Sequence, residues 1–434
     1  MGSMEINRQE LGAGLDVRGV FQYAPSICIC RPVLLPSCFD SRQCVTLPNV
    51  DHDELHRVEQ GARWHSWSGA VVLYAAFTAT GVALVLPGAL LPVLLARWSL
   101  SDQQAGLLFF LFFMGSMSGA VLSRGSLPRS IARGCAAVAL GASLLAVASH
   151  ATAFAAMALF GLGLGIVMTS VSVLVSRSHA TDRAAHITRL NLLWALGACF
   201  GPGFELRGAA AWGAQWMLYS IAGAFAVLGL LTLVLVAHVD AETVSAGATW
   251  WQQLRRTPAT LLWMAPLATG IESAAGGWLA TYSKRSGGTL DATIGAVTCF
   301  WAGLLLSRLV QSNRRVSAST AKPLLRLSPW LMAAALALLV AANGGVPVLV
   351  AALLLGLGIG PMYPSVLARV LHRGEGGNAV FVAAGIGASV LPLLTGLVSG
   401  WTGSLRYGLC VPLFAALVMA LCGWMVTRRD DFSS

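Results

Sequence analysis

The sequence predicts an all-α integral membrane protein, with twelve transmembrane helices arranged as two parallel six-helix halves. Three observations carry that expectation: a composition too poor in charge for a water-facing surface, a succession of long apolar runs, and a set of short motifs that recurs six runs later. The chain has 434 residues, of which 56% are hydrophobic and 11% charged, with a mean hydropathy of +0.72. Soluble proteins carry about 25% charged residues, so a soluble enzyme is excluded. The apolar content excludes a disordered chain equally well.

Residues 1–65 stand apart from the apolar runs. They carry charges of both signs and Cys28, Cys30, Cys38 and Cys44, four of the nine cysteines. The spacings lack the paired Cys-x2-4-Cys of a zinc knuckle, so no metal is expected. Thiols in a cytoplasmic tail stay reduced. No apolar h-region precedes Trp67, which argues against a cleaved signal peptide. Residues 1–65 read as a disordered extension or as a start codon placed too early.

From Trp67 onward the chain offers twelve apolar stretches near 67–95, 102–123, 130–149, 152–176, 188–204, 212–237, 259–281, 291–310, 324–342, 346–368, 378–400 and 405–426. A helix needs about 20 mostly apolar residues to cross the hydrocarbon layer, and it satisfies its own backbone hydrogen bonds on the way. The stretches divide the chain into an N-terminal half at 66–238, a linker at 239–258, a C-terminal half at 259–427 and a tail at 428–434. The connections are too short for an extramembrane domain.

Orientation follows from the loop cations. With the start of the first span in the cytoplasm, 17 Lys and Arg residues fall on the inward side and 5 on the outward side, leaving aside the six arginines before Trp67. Both termini are then cytoplasmic and the linker is inward. The formal charge of +10 follows from the same loops, so topology explains it and nucleic acid is not an expected partner. Arg124, Arg129, Arg308, Arg314 and Arg315 read as orientation signals, some of them as gate contacts.

The internal repeat consists of three motif pairs. Gly119-Ala-Val-Leu-Ser-Arg124 in the second span matches Gly303-Leu-Leu-Leu-Ser-Arg308 in the eighth. Gly161-Leu-Gly-Leu-Gly165 in the fourth matches Gly356-Leu-Gly-Ile-Gly360 in the tenth. Gly197-Ala-Cys-Phe-Gly-Pro202 in the fifth matches Gly387-Ala-Ser-Val-Leu-Pro392 in the eleventh. The pairs occur in the same order and at nearly the same offset along the chain, each six spans apart. Six spans is an even number, so the halves share one orientation, and such parallel repeats place a solute site between them at mid-depth. No strand precedes the glycine runs and no Gly-Lys-Ser/Thr follows them, so they serve close helix packing and not phosphate binding.

From Ser66 to Arg429 the chain resembles a major facilitator superfamily transporter of the fucose permease-like sugar branch. Four segments carry the resemblance: Leu86-Pro-Gly-Ala-Leu-Leu-Pro92, Arg189-Leu-Asn-Leu-Leu-Trp-Ala-Leu-Gly197, Glu272-Ser-Ala-Ala-Gly-Gly-Trp-Leu-Ala-Thr-Tyr282 and Gly356-Leu-Gly-Ile-Gly-Pro-Met-Tyr-Pro364. The resemblance implies alternating access and proton-coupled sugar uptake. Two positions depart from the family pattern. Ser123 stands where an acidic residue usually precedes the loop arginine, and no carboxylate occurs in 67–95 or 152–176, where the fucose–proton symporters keep theirs.

Glu272 is the carboxylate that falls well inside a predicted span, roughly 18 Å along the helix from its inner end. Ionisable groups at that depth face a cavity and are functional by default. It is therefore the candidate substrate acceptor and proton carrier; the structural alternative is a protonated Glu bonded to a neighbouring helix. Thr269 and Gly276 share its helical face. Asn191 and Trp194 lie on one face of the fifth span, and an amide beside an aromatic ring suits a sugar. Asn378 and Phe381 repeat that arrangement in the eleventh. Trp278, about 120° around the helix from Glu272, and Tyr363, between Pro361 and Pro364, complete the candidate substrate-binding set. For these residues the alternatives are an interhelical amide bond, plain packing and a gating kink.

The expected function is secondary transport of a small polar solute, a sugar above all, by a monomer in the plasma or inner membrane, without a cofactor. An efflux carrier for amphiphilic drugs is the alternative on the same fold, and it predicts a large apolar cavity with few hydrogen-bonding groups. A sensor that has lost transport is a further reading. No His-Glu-x-x-His, Gly-x-Ser-x-Gly or paired-acid site is present in the spans, so an intramembrane enzyme is not expected.

Overall fold

The computed structural model describes residues 67–123, 125–179, 183–236, 259–312, 314–372 and 377–432. The four N-terminal cysteines and the linker at 239–258 lie outside them. All regular secondary structure in the described residues is helical. The first half contains α1 (Trp67–Ala89), α2 (Leu91–Trp98), α3 (Asp102–Leu122), α4 (Leu127–Val147), α5 (His150–Ser178), α6 (Arg183–Trp212) and α7 (Ala214–Leu235). The second contains α8 (Ala259–Arg285), α9 (Leu290–Ser312), α10 (Arg314–Ala341), α11 (Val346–Ile359), α12 (Met362–His372), α13 (Gly377–Thr402), α14 (Leu405–Gly408) and α15 (Cys410–Phe432).

Each predicted span falls on one of these helices or on a broken pair. The first breaks at Leu90, between Pro87 and Pro92, and the tenth breaks at Gly360–Pro361. Proline withholds a backbone N–H and clashes with the preceding turn, so a break there is the expected result. Ten helical segments are long and apolar enough to cross a membrane; α6 and α8 are not among them. Both are long, at 30 and 27 residues, but α6 carries Asn191, Glu205 and Arg207, and α8 carries Glu272.

The repeat has a packing counterpart in each half. Within the first half α3 packs on α5, α1 on α6 and α4 on α7; within the second α9 packs on α11, α8 on α13 and α10 on α15. The glycine motifs sit at these contacts. A Cβ on Gly161 would collide with the backbone oxygen of Phe112, and one on Gly356 with that of Phe300. Gly197 likewise abuts the carbonyl of Thr78, and Gly387 that of Pro266. Only glycine lets the backbones approach so closely, and dispersion contacts between them replace a hydrophobic driving force that lipid does not supply. The halves meet through α3 on α13 and through α6 on α9, two contacts exchanged by the same repeat.

The outer surface is dressed for lipid. Phe200, Leu230, Val234, Phe414 and Leu421 are all exposed. Trp212, Trp216, Trp401 and Tyr407 are exposed near the end of the bundle that holds Asp102, and Trp67, Trp263 and Trp424 near the opposite end. Such aromatic girdles mark the two membrane–water interfaces.

Candidate functional site

The groundwork of the site is the α8–α13 contact. Pro392 has no N–H, so the Ala388 carbonyl one turn before it lacks its usual helical donor. The hydroxyl of Ser273 supplies one across the helix pair, at 2.9 Å. Thr269 donates to the Ala384 carbonyl at 2.6 Å, and the indole N–H of Trp278 donates to the Pro392 carbonyl at 3.1 Å. These three bonds lock α8 against α13 along one face and leave the Glu272 face turned inward.

A cavity of about 250 Å³ lies between the halves. Its first-half wall is largely apolar, with Phe109, Phe112, Phe113 and Met168, and its polar members there are Asn191 and Trp194. The second half contributes Thr269, Glu272, Ser273, Trp301, Arg308 and Tyr363. The charged chemistry therefore sits on one half and most of the ring surface on the other.

At the centre Arg308 Nη2 approaches Glu272 Oε2 to 3.8 Å, with both side chains only 16% and 17% exposed. The guanidinium carbon lies 5.4 Å from the centroid of Trp194, a cation–π contact. Trp194 in turn meets Trp301 edge-on, with centroids 5.8 Å apart. A buried charge survives in lipid only when paired or facing a cavity, and this pair does both.

At one end of the bundle the halves make a direct polar contact. Arg285 at the end of α8 makes two hydrogen bonds to the Asp102 carboxylate at the start of α3, at 2.7 and 2.6 Å. Ser399 of α13 donates to the same carboxylate. Beneath it a Cβ on Gly88 would fall 2.7 Å from the Gly276 carbonyl oxygen, so α1 and α8 touch through glycine. Arg207 and Asp291 form a second, exposed pair between α6 and α9 at 3.4 Å.

The model of the Major Facilitator Superfamily matches residues 67–373. This chain belongs to that superfamily. It is accordingly a multi-pass membrane transporter for a small molecule, in a superfamily whose members are transporters and not enzymes. Among solved structures it is similar to the crystal structure of an MFS transporter, FucP, in the outward conformation. That match has 16% identity and a TM-score of 0.55, and covers 84% of this chain and 99% of the other. Among curated proteins none matches the sequence significantly.

Of the residues singled out in this superfamily member's sequence, Glu272, Asn191, Trp194 and Tyr363 all line the one cavity. Asn191 donates to the Ile187 carbonyl of its own helix at 3.0 Å. Trp278 is not among the lining residues; it is fully buried and packs edge-on against Phe109, with centroids 5.7 Å apart. The side chain of Asn378 lies outside the described residues, and Phe381 is exposed.

Two charged residues escaped the sequence reading. Arg308 reads as a loop cation because it lies close to the end of its span, but its long stem carries the guanidinium back into the cavity, as flexible basic side chains do. Glu205 falls one residue beyond the predicted end of the fifth span. In the structure α6 runs on to Trp212, and Glu205 is fully buried with neither carboxyl oxygen bonded among the described residues. The pattern of apolar residues has no signal for either outcome, since both depend on where the neighbouring helices lie.

Proposed function

We propose that the protein is a secondary transporter that moves a small polar solute, a sugar, by alternating access, with proton coupling through Glu272. The observation that carries the reading is the cavity itself. Its volume is about 250 Å³. Ligand sites run upward from roughly 300 Å³, so this one sits at or below their small end. A ring-rich wall that carries Asn191 and faces Glu272, Arg308 and Tyr363 suits a solute with an apolar face and several hydroxyls. A large amphiphile needs a larger chamber, so the drug-efflux reading loses support.

The loop charge bias supports an outward Asp102 end and cytoplasmic termini, and twelve crossings of the plasma or inner membrane belong to the same proposal. On that orientation the halves are joined outside, opposite to the outward conformation described for FucP. Rocking about the α3–α13 and α6–α9 contacts would exchange the two states. The domains of this reading are the halves 66–238 and 259–427.

Uptake into vesicles with and without an imposed pH gradient tests the coupling. Glu272→Gln removes the titratable group and keeps the shape. Gradient-driven accumulation is expected to vanish while solute exchange persists. Accumulation that survives unchanged removes Glu272 from the coupling role.

A further inference from the structure

The walls around the cavity hold more hydrogen-bond donors than the protein satisfies. Arg308 Nε is buried and has no acceptor among the described residues. Its carboxylate neighbour, Glu272, stands 3.8 Å away, an ion-pair separation beyond hydrogen-bond range. The indole N–H groups of Trp194 and Trp301, two more lining residues, are also buried without acceptors. Thr269 and Ser273 donate to the Ala384 and Ala388 carbonyls, and their oxygens accept from none of these three donors.

We infer that the transported solute is an acid, a monosaccharide-sized molecule whose carboxylate docks on Arg308. This rests on the reading of the cavity as a small-solute transport site. An uncharged sugar brings a donor with every hydroxyl, whereas a carboxylate brings acceptors only, in the planar geometry that a guanidinium fork matches. Donors left unpaired in a low-dielectric site are costly, and a carboxylate that accepts from Arg308 lowers that cost. The charge balance points the same way. The charged and titratable residues lining the cavity, among those described, are Glu272, Arg308 and Tyr363. Glu272 and Arg308 together are neutral, so an arriving anion leaves one negative charge in excess. A proton taken up by Glu272 cancels it. Solute anion and proton then cross together with no net charge moved.

The test uses the purified full-length protein with glucuronate, glucose and lactate as probes, read by thermal shift and by counterflow in proteoliposomes. Glucuronate is expected to bind at least about tenfold tighter than glucose, the difference one charge-assisted hydrogen-bonded contact makes. Arg308→Gln is expected to abolish that preference, and Arg308→Lys to retain part of it. If Arg308→Gln does not fold, Trp301→Phe removes a neighbouring donor and is expected to weaken glucuronate more than glucose. Glucose binding as tightly as glucuronate overturns the acid and leaves the sugar reading standing. Lactate binding alone, lost in Arg308→Gln, supports the carboxylate dock and overturns the sugar. No binding by any of the three overturns both.

Discussion

Breaking the seal at the Asp102 end gives the sharpest test of alternation. The Asp102→Asn substitution keeps the shape of the side chain but removes its charge, which holds both hydrogen bonds from Arg285 and the one from Ser399. The Asp102 side chain is 11% exposed and that of Arg285 is 45% exposed, so solvent screens the pair only in part. Hydrogen bonds to a charged group contribute about 1.5–3 kcal/mol when shielded and exposed pairs about 0.2–1, which puts this partly shielded contact at about 1–2 kcal/mol. The contact exists only while the halves are joined at this end. Its loss is therefore expected to shift the population toward the state open on the Asp102 side by about 5- to 30-fold. The assay is labelling of Ala388→Cys, on the cavity wall, in a background stripped of its own cysteines. A membrane-impermeant thiol reagent is added from the Asp102 side. Labelling is expected to accelerate by that factor in Asp102→Asn, and the charge exchange Asp102→Arg with Arg285→Asp is expected to reverse part of the effect. An unchanged labelling rate in Asp102→Asn refutes the seal.

Further outcomes follow from the packing. Ser273→Ala leaves the Ala388 carbonyl without a donor and is expected to cost about 1–3 kcal/mol in thermal or chemical unfolding; adding Pro392→Ala restores a backbone N–H there, and recovery in the double variant is the check. Gly161→Val and Gly356→Val drive a side chain into a backbone oxygen that cannot move alone, so monodisperse protein is expected to be lost on size-exclusion chromatography. Gly223→Ala, which meets nothing within 4 Å, is the tolerated control. Glu205→Met replaces a buried carboxyl with no hydrogen-bond partner among the described residues by an apolar side chain of similar length. It is expected to leave the melting temperature unchanged or raised, a gain of about 1–3 kcal/mol. A marked drop would mean that Glu205 has a partner in the membrane.

Much of the fold is written in the order of the residues. The glycine motifs at 161–165 and 356–360 announced a repeat, and the structure sets both at equivalent crossings because backbone contact in lipid demands the smallest residue. Pro361, read with Pro364 as a kink, lies at the break in the tenth span. The isolated carboxylate of Glu272 pointed to a cavity because an ion in hydrocarbon needs one.

The site was legible only in outline. Trp278 carries the same aromatic promise as Trp194, but the carbonyl of Pro392 claims it, and nothing in its spacing distinguishes the two. Arg308 looked like a topology marker because spacing records the position of a Cα, not the reach of a long side chain. Glu205 escaped because it lies one residue past the expected end of the fifth span, whereas neighbouring helices bury it and α6 continues to Trp212.

What the sequence determined by itself is the solvent, the repeat and the helical architecture. Lipid permits few backbone structures, and the choice among them depends on local composition and on small residues at fixed intervals. What only the tertiary structure decided is which polar groups meet: Arg308 with Glu272 over Trp194, Asp102 with Arg285, Ser273 with the carbonyl freed by Pro392. Those meetings join residues that lie up to 183 positions apart in the chain. They are set by how one helix face turns toward another, a rotation that no single span encodes.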